Sequence, residues 1–303
     1  MATNWRQLED KQSARLWTFN IANGEQQLVY ESTESVIEAP NWTSDGSWLI
    51  YNQDGLLYKV PAGGTAEPFL IDTGDLCDAN NDHVVSPDGL FVYGTSQNGH
   101  IYEVPINGGT PRTVSNQHER SFKYYLHGVS PDGKLLTYTG AEERNGDLHG
   151  FLNIFTIPAA GGDDVQLTRT TKPSDGPEYS PDGTWIYFNS EMASSVPGHA
   201  QLFRMRNDGT EVTQLTSDQR VNWFPHVSPA ADRLVYMSYE LGTVGHPANK
   251  TVELRCIPPD GGESELLLRL FGGQGTINVN SWAVDSLRFA FVEYPVGPEL
   301  GRN

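Results

Sequence analysis

The chain has 303 residues, with 20 Lys plus Arg against 38 Asp plus Glu, a formal charge of −18 and 37% hydrophobic residues. A balance that acidic opposes association with phosphate backbones and acidic bilayers, so neither nucleic acid nor a membrane is an expected partner. No apolar run approaches the roughly 18–20 residues that span a bilayer, the first ten residues hold no hydrophobic signal core, and Cys77 and Cys256 form no metal or redox spacing.

The first twelve residues read as a lead-in. From there the chain runs Leu16-Trp17-Thr18-Phe19-Asn20-Ile21, turns at Asn23-Gly24 and returns through Gln27-Leu28-Val29-Tyr30, two short strands about a Gly turn. A cassette then recurs: Thr43-Ser44-Asp45-Gly46, Ser86-Pro87-Asp88-Gly89, Ser130-Pro131-Asp132-Gly133, Ser180-Pro181-Asp182-Gly183, and the degenerate Ser228-Pro229-Ala230-Ala231 and Ala283-Val284-Asp285-Ser286. Its third positions are 43, 44, 50, 48 and 55 residues apart, a period suited to four-stranded propeller blades. Pro presets φ, Asp bonds back to the backbone and Gly accepts the left-handed conformation, so the cassette is a hairpin turn and carries no chemistry.

After each of the first five cassettes come a second strand, a third such as Ile101-Tyr102-Glu103-Val104-Pro105, a Gly turn such as Gly108-Gly109, and a closing strand such as Val165-Gln166-Leu167-Thr168. With the four strands labelled A to D, the cassette is the A-to-B turn. The last cassette is followed only by Arg288-Phe289-Ala290-Phe291-Val292, which leaves its blade without C and D, while the N-terminal pair has the C-to-D pattern with no A and B before it. The expectation is an all-β chain: a six-bladed β-propeller of four-stranded antiparallel blades over residues 13–294, its last blade closed by the N-terminal strands. Residues 1–12 lead in and 295–303 form a tail. Without an export signal the protein is expected in the cytoplasm, or in the periplasm if a signal peptide has been removed.

In such a ring the D-to-A and B-to-C connections share one face. All eight histidines fall on or next to it: His118 in a D-to-A connection, His83, His127 and His226 entering strand A, and His100, His149, His199 and His246 in or beside B-to-C connections. Longer loops on one face would gather polar residues there without any site. Nearest the axis stand Asn41, Asp82, His83, His127, Glu178, His226, Asn280 and Ser281. Imidazole and carboxylate suit Mn, Fe or Zn and serve equally as general base and acid. His83, His127, Glu178 and His226 are therefore candidate metal ligands, with hydrogen-bonded histidines in a polar channel as the alternative. His83 and His127 stand three residues before their cassette serine, Glu178 and His226 two, so strand alternation predicts that the two pairs lean to opposite sides.

Asn81, Asp82, Asp175 and Gln274 lie in amide- and carboxylate-rich D-to-A connections, and Tyr125 and Trp223 could stack on sugar rings or pack blade against blade. These six are the candidate ligand-binding residues. Lys123, Arg120, Arg144 and Lys250 are scarce cations on this face, fit for a ligand's carboxylate or phosphate or for salt bridges. No nucleophile elbow, phosphate loop, zinc-protease motif or dinucleotide fingerprint is present.

On the strength of Asn41-Trp42-Thr43-Ser44-Asp45-Gly46 and Tyr179-Ser180-Pro181-Asp182-Gly183, the Ile/Leu-Tyr/Phe-x-Val/Ile-Pro strand and the Gly-Gly turn, residues 13–294 resemble the TolB-like propellers. That resemblance implies the fold and no particular chemistry. Trp223-Phe224-Pro225-His226 and Leu270-Phe271-Gly272-Gly273-Gln274-Gly275-Thr276 are similar to runs in uncharacterised single-domain bacterial members. The Ser-Pro-Asp repeats with histidines just before them also resemble the propeller oligogalacturonate lyases, which are seven-bladed and bind manganese through axial histidines. This second resemblance implies a metal-assisted lyase or hydrolase on a sugar: a metal held by some of His83, His127, Glu178 and His226 would acidify the carbon beside a carboxylate, and His127, His226 or Lys123 would take the proton. Three readings stand: a pocket for a small, carbohydrate-like ligand or oligosaccharide, a metal-dependent lyase or hydrolase, and a protein-interaction platform on the same face.

Overall fold

The first four cassette turns are built the same way. Ser86 Oγ donates to Asp88 Oδ1 at 2.6 Å and accepts from the Phe91 N–H at 2.9 Å, the Leu90 N–H bonds Asp88 Oδ1 at 3.0 Å, and Gly89 takes φ 71°. Ser130 with Asp132 (2.7 Å) and Ser180 with Asp182 (2.5 Å) repeat the contact, and Thr43 with Asp45 does so at 2.5 Å. In the fifth cassette, where Ala230 replaces the aspartate, Ser228 Oγ reaches Asp232 instead at 2.7 Å.

A computed structural model describes residues 5–64, 66–144, 146–147 and 151–297. Parts of the expected lead-in (1–4) and tail (298–303), and His149, lie outside the described residues. Five four-stranded antiparallel sheets follow one another as blades 1 to 5, with innermost strands Ile37–Trp42, Ala79–Val85, Phe122–Val129, Ser174–Tyr179 and Val221–Val227. The sixth pairs Gln26–Ser32 with Ala14–Asn20, and Ala14–Asn20 with Arg288–Glu293 in antiparallel register from Arg15↔Glu293 to Asn20↔Arg288. The N-terminal strands thus close the ring as the cassette count requires. The innermost segment of this blade is irregular, reduced to the single bridge Trp282↔Phe289. Among the described residues no helix is long and apolar enough to cross a membrane.

Apolar side chains fill the wedges between blades. Leu16, Ala290 and Val292 of blade 6 pack with Leu49, Tyr51 and Val60 of blade 1, and Tyr187 and Leu202 of blade 4 with Leu234 and Tyr236 of blade 5. Each such side chain, fully buried, contributes about 1.5–3 kcal/mol. The lead-in is part of this packing: Leu8 joins the blade 6–blade 1 cluster, and the Arg6 guanidinium lies 4.0 Å from the centre of the Tyr294 ring. Cys77 and Cys256 are both free thiols.

Every innermost strand of blades 1 to 5 is bulged where it nears the axis. Glu38 pairs with Asn52 and Asn41 with Ile50, Asp175 with Asn189 and Glu178 with Tyr187, Trp223 with Met237 and His226 with Val235. Three steps on one strand meet two on the other, which puts residues of odd spacing on one side of the sheet. The extra residue is left-handed and precedes a proline in each case: Ala39 (φ 54°), Gly176 (φ 63°) and Phe224 (φ 54°). In blade 3 the extra residue is His127 itself, between Leu126↔Tyr138 and Gly128↔Thr137, and in blade 2 the irregular stretch between Ala79 and His83 holds Asn80, Asn81 and Asp82.

Candidate functional site

These bulges line a cavity of about 260 Å³ on the D-to-A and B-to-C face. Blade 2 contributes Asn80, Asn81, Asp82 and Gln97, blade 3 Tyr125, His127 and Leu152, blade 4 Asp175, blade 5 Phe224 and His246, and the irregular segment of blade 6 Gln274 and Asn278. A second cavity, of about 370 Å³, opens at the cassette face among Trp42, Pro87, Tyr179 and Trp282, and His127 lines both.

Between the two cavities the axis is crossed by hydrogen bonds. The backbone carbonyls that the irregular blade 6 segment withholds from a strand ladder go to axial side chains: Ile277 O lies 2.6 Å from His226 Nε2, Asn278 O 3.0 Å from His127 Nδ1, and Asn280 O accepts from Asn41 Nδ2 at 2.8 Å. A carbonyl only accepts, so His226 carries a proton on Nε2 and His127 on Nδ1. His226 Nδ1 sits 2.6 Å from Glu178 Oε2, while Glu178 Oε1 accepts from the Val227 N–H (3.0 Å) and from Asn280 Nδ2 (2.6 Å). His83 Nδ1 meets Asn41 Oδ1 at 2.6 Å. Its Nε2 is buried and has no hydrogen-bond partner among the described residues.

At the cavity floor His127 Nε2 lies 3.4 Å from Asp175 Oδ1, which also accepts from Thr139 Oγ1 (2.7 Å) and the Gly176 N–H (2.8 Å). His246 Nε2 stands 4.0 Å from Asp175 Oδ2, its Nδ1 is bonded to Gln274 Oε1, and its ring packs on Trp223 (4.6 Å) and Phe224 (4.9 Å). The lead-in reaches this wall: Arg6 donates to Gln274 O at 2.7 Å and to Asn249 Oδ1 at 2.9 Å.

Environment drives the two carboxyls apart. Burial pushes the Asp82 carboxyl up to about 6, with nearby Asp175 and Glu38 adding to the rise and His127 opposing it. Burial acts on Asp175 in the same sense, yet the hydrogen bond and charge of His127, with His246 and Thr139, hold it down at about 2. His127 is correspondingly raised, since the bond to Asp175 and the charges of Asp82 and Asp175 outweigh its burial. His246 is lowered, and His83 falls to about 3, by burial. The Tyr125 phenol rises to about 12 through burial and the two aspartates.

Of the ligand-binding candidates, Asn81, Asp82, Asp175, Tyr125 and Gln274 are brought together on the cavity wall, while Trp223 sits behind it, packed against Phe224 and His246. The four metal candidates do not converge as one donor set. Glu178 pairs with His226, whereas His83 bonds Asn41 and His127 bonds Asn278 and Asp175, and both ring nitrogens of His226 are engaged. Among the described residues no group of three or more His, Cys, Asp or Glu is arranged to hold a metal ion. The residues present therefore do not fit the manganese site implied by the lyase resemblance. Of the three proton-transfer candidates, His127 reaches the cavity, His226 is closed off by its own bonds, and Lys123 points its Nζ at Gln97 O, 3.5 Å away, without lining the cavity. Arg120 and Arg144 form salt bridges with Glu142.

His246, Phe224 and Asn278 are cavity residues that the sequence did not single out as a site. The signal for Phe224 was the residue-Pro pair just before His226, shared with Ala39-Pro40 and Gly176-Pro177; His246 and Asn278 carried none beyond loop position.

No family model matches the chain. An uncharacterized protein of Agrobacterium fabrum is 40% identical over 283 residues, covering 91% of this chain and 90% of its own. A solved structure of a candidate TolB from Agrobacterium tumefaciens superposes with a TM-score of 0.86 at 38% identity, over 94% of this chain and 99% of that one. An oligogalacturonate lyase in complex with manganese is a distant match, with TM-score 0.56 and 14% identity over 88% of this chain and 75% of that one, which establishes likeness of fold alone.

Proposed function

The chain belongs to the TolB-like six-bladed propellers, and from that premise we propose that its axial cavity binds a small, carbohydrate-like ligand. The observation that carries this reading is the convergence of Asn80, Asn81, Asp82, Asp175, His127 and Gln274, drawn from four blades, between the aromatic rings of Tyr125 and Phe224. Convergent amides and carboxylates bond hydroxyls, and aromatic rings cover the apolar face of a sugar. At about 260 Å³ the space lies just under the roughly 300–1,000 Å³ of drug-sized sites, which suits one ring better than a chain of them. NMR titration with monosaccharides is the test. Binding to the wild type that falls at least about tenfold in Asn81→Ala and Asp175→Asn supports the reading; a panel without any binder sinks it.

The opposed behaviour of Asp82 and Asp175 favours a second reading, hydrolysis or elimination on the same ligand without a metal, since between about pH 2 and about pH 6 a protonated Asp82 and an ionised Asp175 furnish an acid and a base. In hydrolysis Asp82 would protonate the departing oxygen as its bond to carbon breaks, and the Asp175–His127 pair would take the proton of the water that forms the new bond to that carbon. Turnover of aryl glycosides with a bell-shaped pH profile, lost in Asp82→Asn, is the expected signature. Binding without turnover across that panel leaves the protein a binding module.

A further inference from the structure

Taking the cavity as a small-ligand site, we propose that its ligand is a single-ring amine, as an amino sugar is, with its ammonium group seated against Asp82. The charge census of the cavity comes first. Its wall holds two carboxylates and two imidazoles, and no Lys or Arg among the described residues. The cations nearest this wall are directed elsewhere, Arg6 to Glu38, Gln274 O and Asn249, Arg120 and Arg144 to Glu142, and Lys123 to a backbone carbonyl. An acidic sugar would enter against Asp82 and Asp175 with no fixed cation to receive it.

The second observation is the difference between the two carboxylates. Both oxygens of Asp175 face an imidazole: Oδ1 takes Thr139, the Gly176 N–H and His127, and Oδ2 lies 4.0 Å from His246 Nε2. Asp82, only 5% exposed, accepts Asn80 Nδ2 on Oδ2 at 3.0 Å, and no described residue donates a hydrogen bond to its Oδ1. A buried carboxylate with an open acceptor position is costly, and an N⁺–H donor fills it with a charge-assisted bond. The groups around Asp82 leave that role vacant: Asp175 from blade 4 and Glu38 from blade 1 are acidic, Tyr125 from blade 3 is a phenol, and the two imidazoles of the wall, His127 from blade 3 and His246 from blade 5, both lie against Asp175. Phe224 and Tyr125 add ring faces that attract a cation, while the amides of Asn81 and Gln97 on the wall suit hydroxyls.

The test is a titration of the full chain with D-glucosamine, D-glucose and D-glucuronate at about pH 7 and about pH 5, followed by NMR. Asp82 is ionised at the higher pH and protonated at the lower, while the amine stays cationic in both. Glucosamine should bind at least about tenfold more tightly than glucose at the higher pH, the preference should vanish at the lower pH and in Asp82→Asn, and glucuronate should bind most weakly. Equal affinity for glucose and glucosamine overturns the ammonium and leaves the cavity as a neutral-sugar site, tighter binding of glucuronate overturns it outright, and no binding by any of the three overturns the small-ligand reading with it. The pH comparison needs only wild-type protein, so it stands even if Asp82→Asn does not fold.

Discussion

Glu178 Oε2 lies 2.6 Å from His226 Nδ1, and both side chains are buried on the propeller axis. The pair ties blade 4 to blade 5, and through Ile277 O and Asn280 Nδ2 it ties both to the irregular segment of blade 6. Two of the four candidate metal ligands are thus engaged as hydrogen-bonded side chains that tie the blades together.

Removing one partner leaves the others buried and unpaired. Glu178→Ala should cost about 3–5 kcal/mol, read as a lowered midpoint in urea unfolding. A loss under about 1 kcal/mol would mean that water takes over the bonds and the tie is not structural.

Because both ring nitrogens of His226 are engaged and the open Nε2 of His83 has no second and third donor gathered with it among the described residues, these four side chains form no site from which a chelator would remove a metal. Dialysis against EDTA should leave Tm unchanged, within about 1 °C. A clear fall, reversed by Mn or Zn, would restore the metal reading.

Acid should destabilise the ring through His83. Its folded pKa of about 3 lies below the unfolded value near 6.5, so between those limits the unfolded chain binds the extra proton. The stability it contributes is present above about pH 6.5 and is lost as pH falls toward 3. His83→Gln should flatten that limb of the stability-against-pH curve, and an unchanged slope would refute the assignment.

Asp82 has the opposite sign. Its carboxyl is raised to about 6 from an unfolded value near 3.9, so the folded state holds the extra proton and stability falls as pH rises from about 4 through 6. Asp82→Asn should therefore stabilise the protein at neutral pH, by about 1–3 kcal/mol, while weakening ligand binding. Site residues that cost stability are expected where function selects them. Destabilisation at neutral pH would contradict the burial argument.

Arg6 acts on the cavity through Gln274, whose carbonyl it holds and whose side chain bonds His246 and Asn278. Arg6→Ala should lower ligand affinity severalfold with a stability loss of about 1–2 kcal/mol. Affinity unchanged beside lost stability would confine Arg6 to a structural role.

The cassette aspartates should affect folding alone. Asp88→Ala and Asp232→Ala each remove one serine contact and should cost about 1 kcal/mol, with no change in ligand affinity. An altered affinity would show that the two ends of the axis are coupled.

Blade number and ring closure were legible because a turn that needs Pro, Asp and Gly announces itself in any context, and six copies count six blades. Asn81, Asp82, Asp175, Tyr125 and Gln274 fall together on one cavity wall because D-to-A connections and the starts of the strands they feed must approach the axis in any propeller. Strict alternation does not carry through these strands, because each is bulged before or at its axial residue, and it could not foresee that Trp223 packs behind the cavity while Phe224, its neighbour, lines it.

What the amino-acid order determined by itself is local and periodic: the turns, the strand runs between them, and the closure of the sixth blade by strands from the other end of the chain. What only the tertiary structure decided is which side each axial residue takes. Bulges at Ala39-Pro40, Gly176-Pro177, Phe224-Pro225 and His127 shift the register by one residue, and a one-residue shift moves every following side chain to the other face. The partners that hold those bulges, Gly275 O for the Ala39 N–H and Asn189 Oδ1 for the Phe224 N–H, come from positions 236 residues away and 35 residues away respectively. Side chains that meet at the axis do so through contacts between blades, which no window along the chain contains.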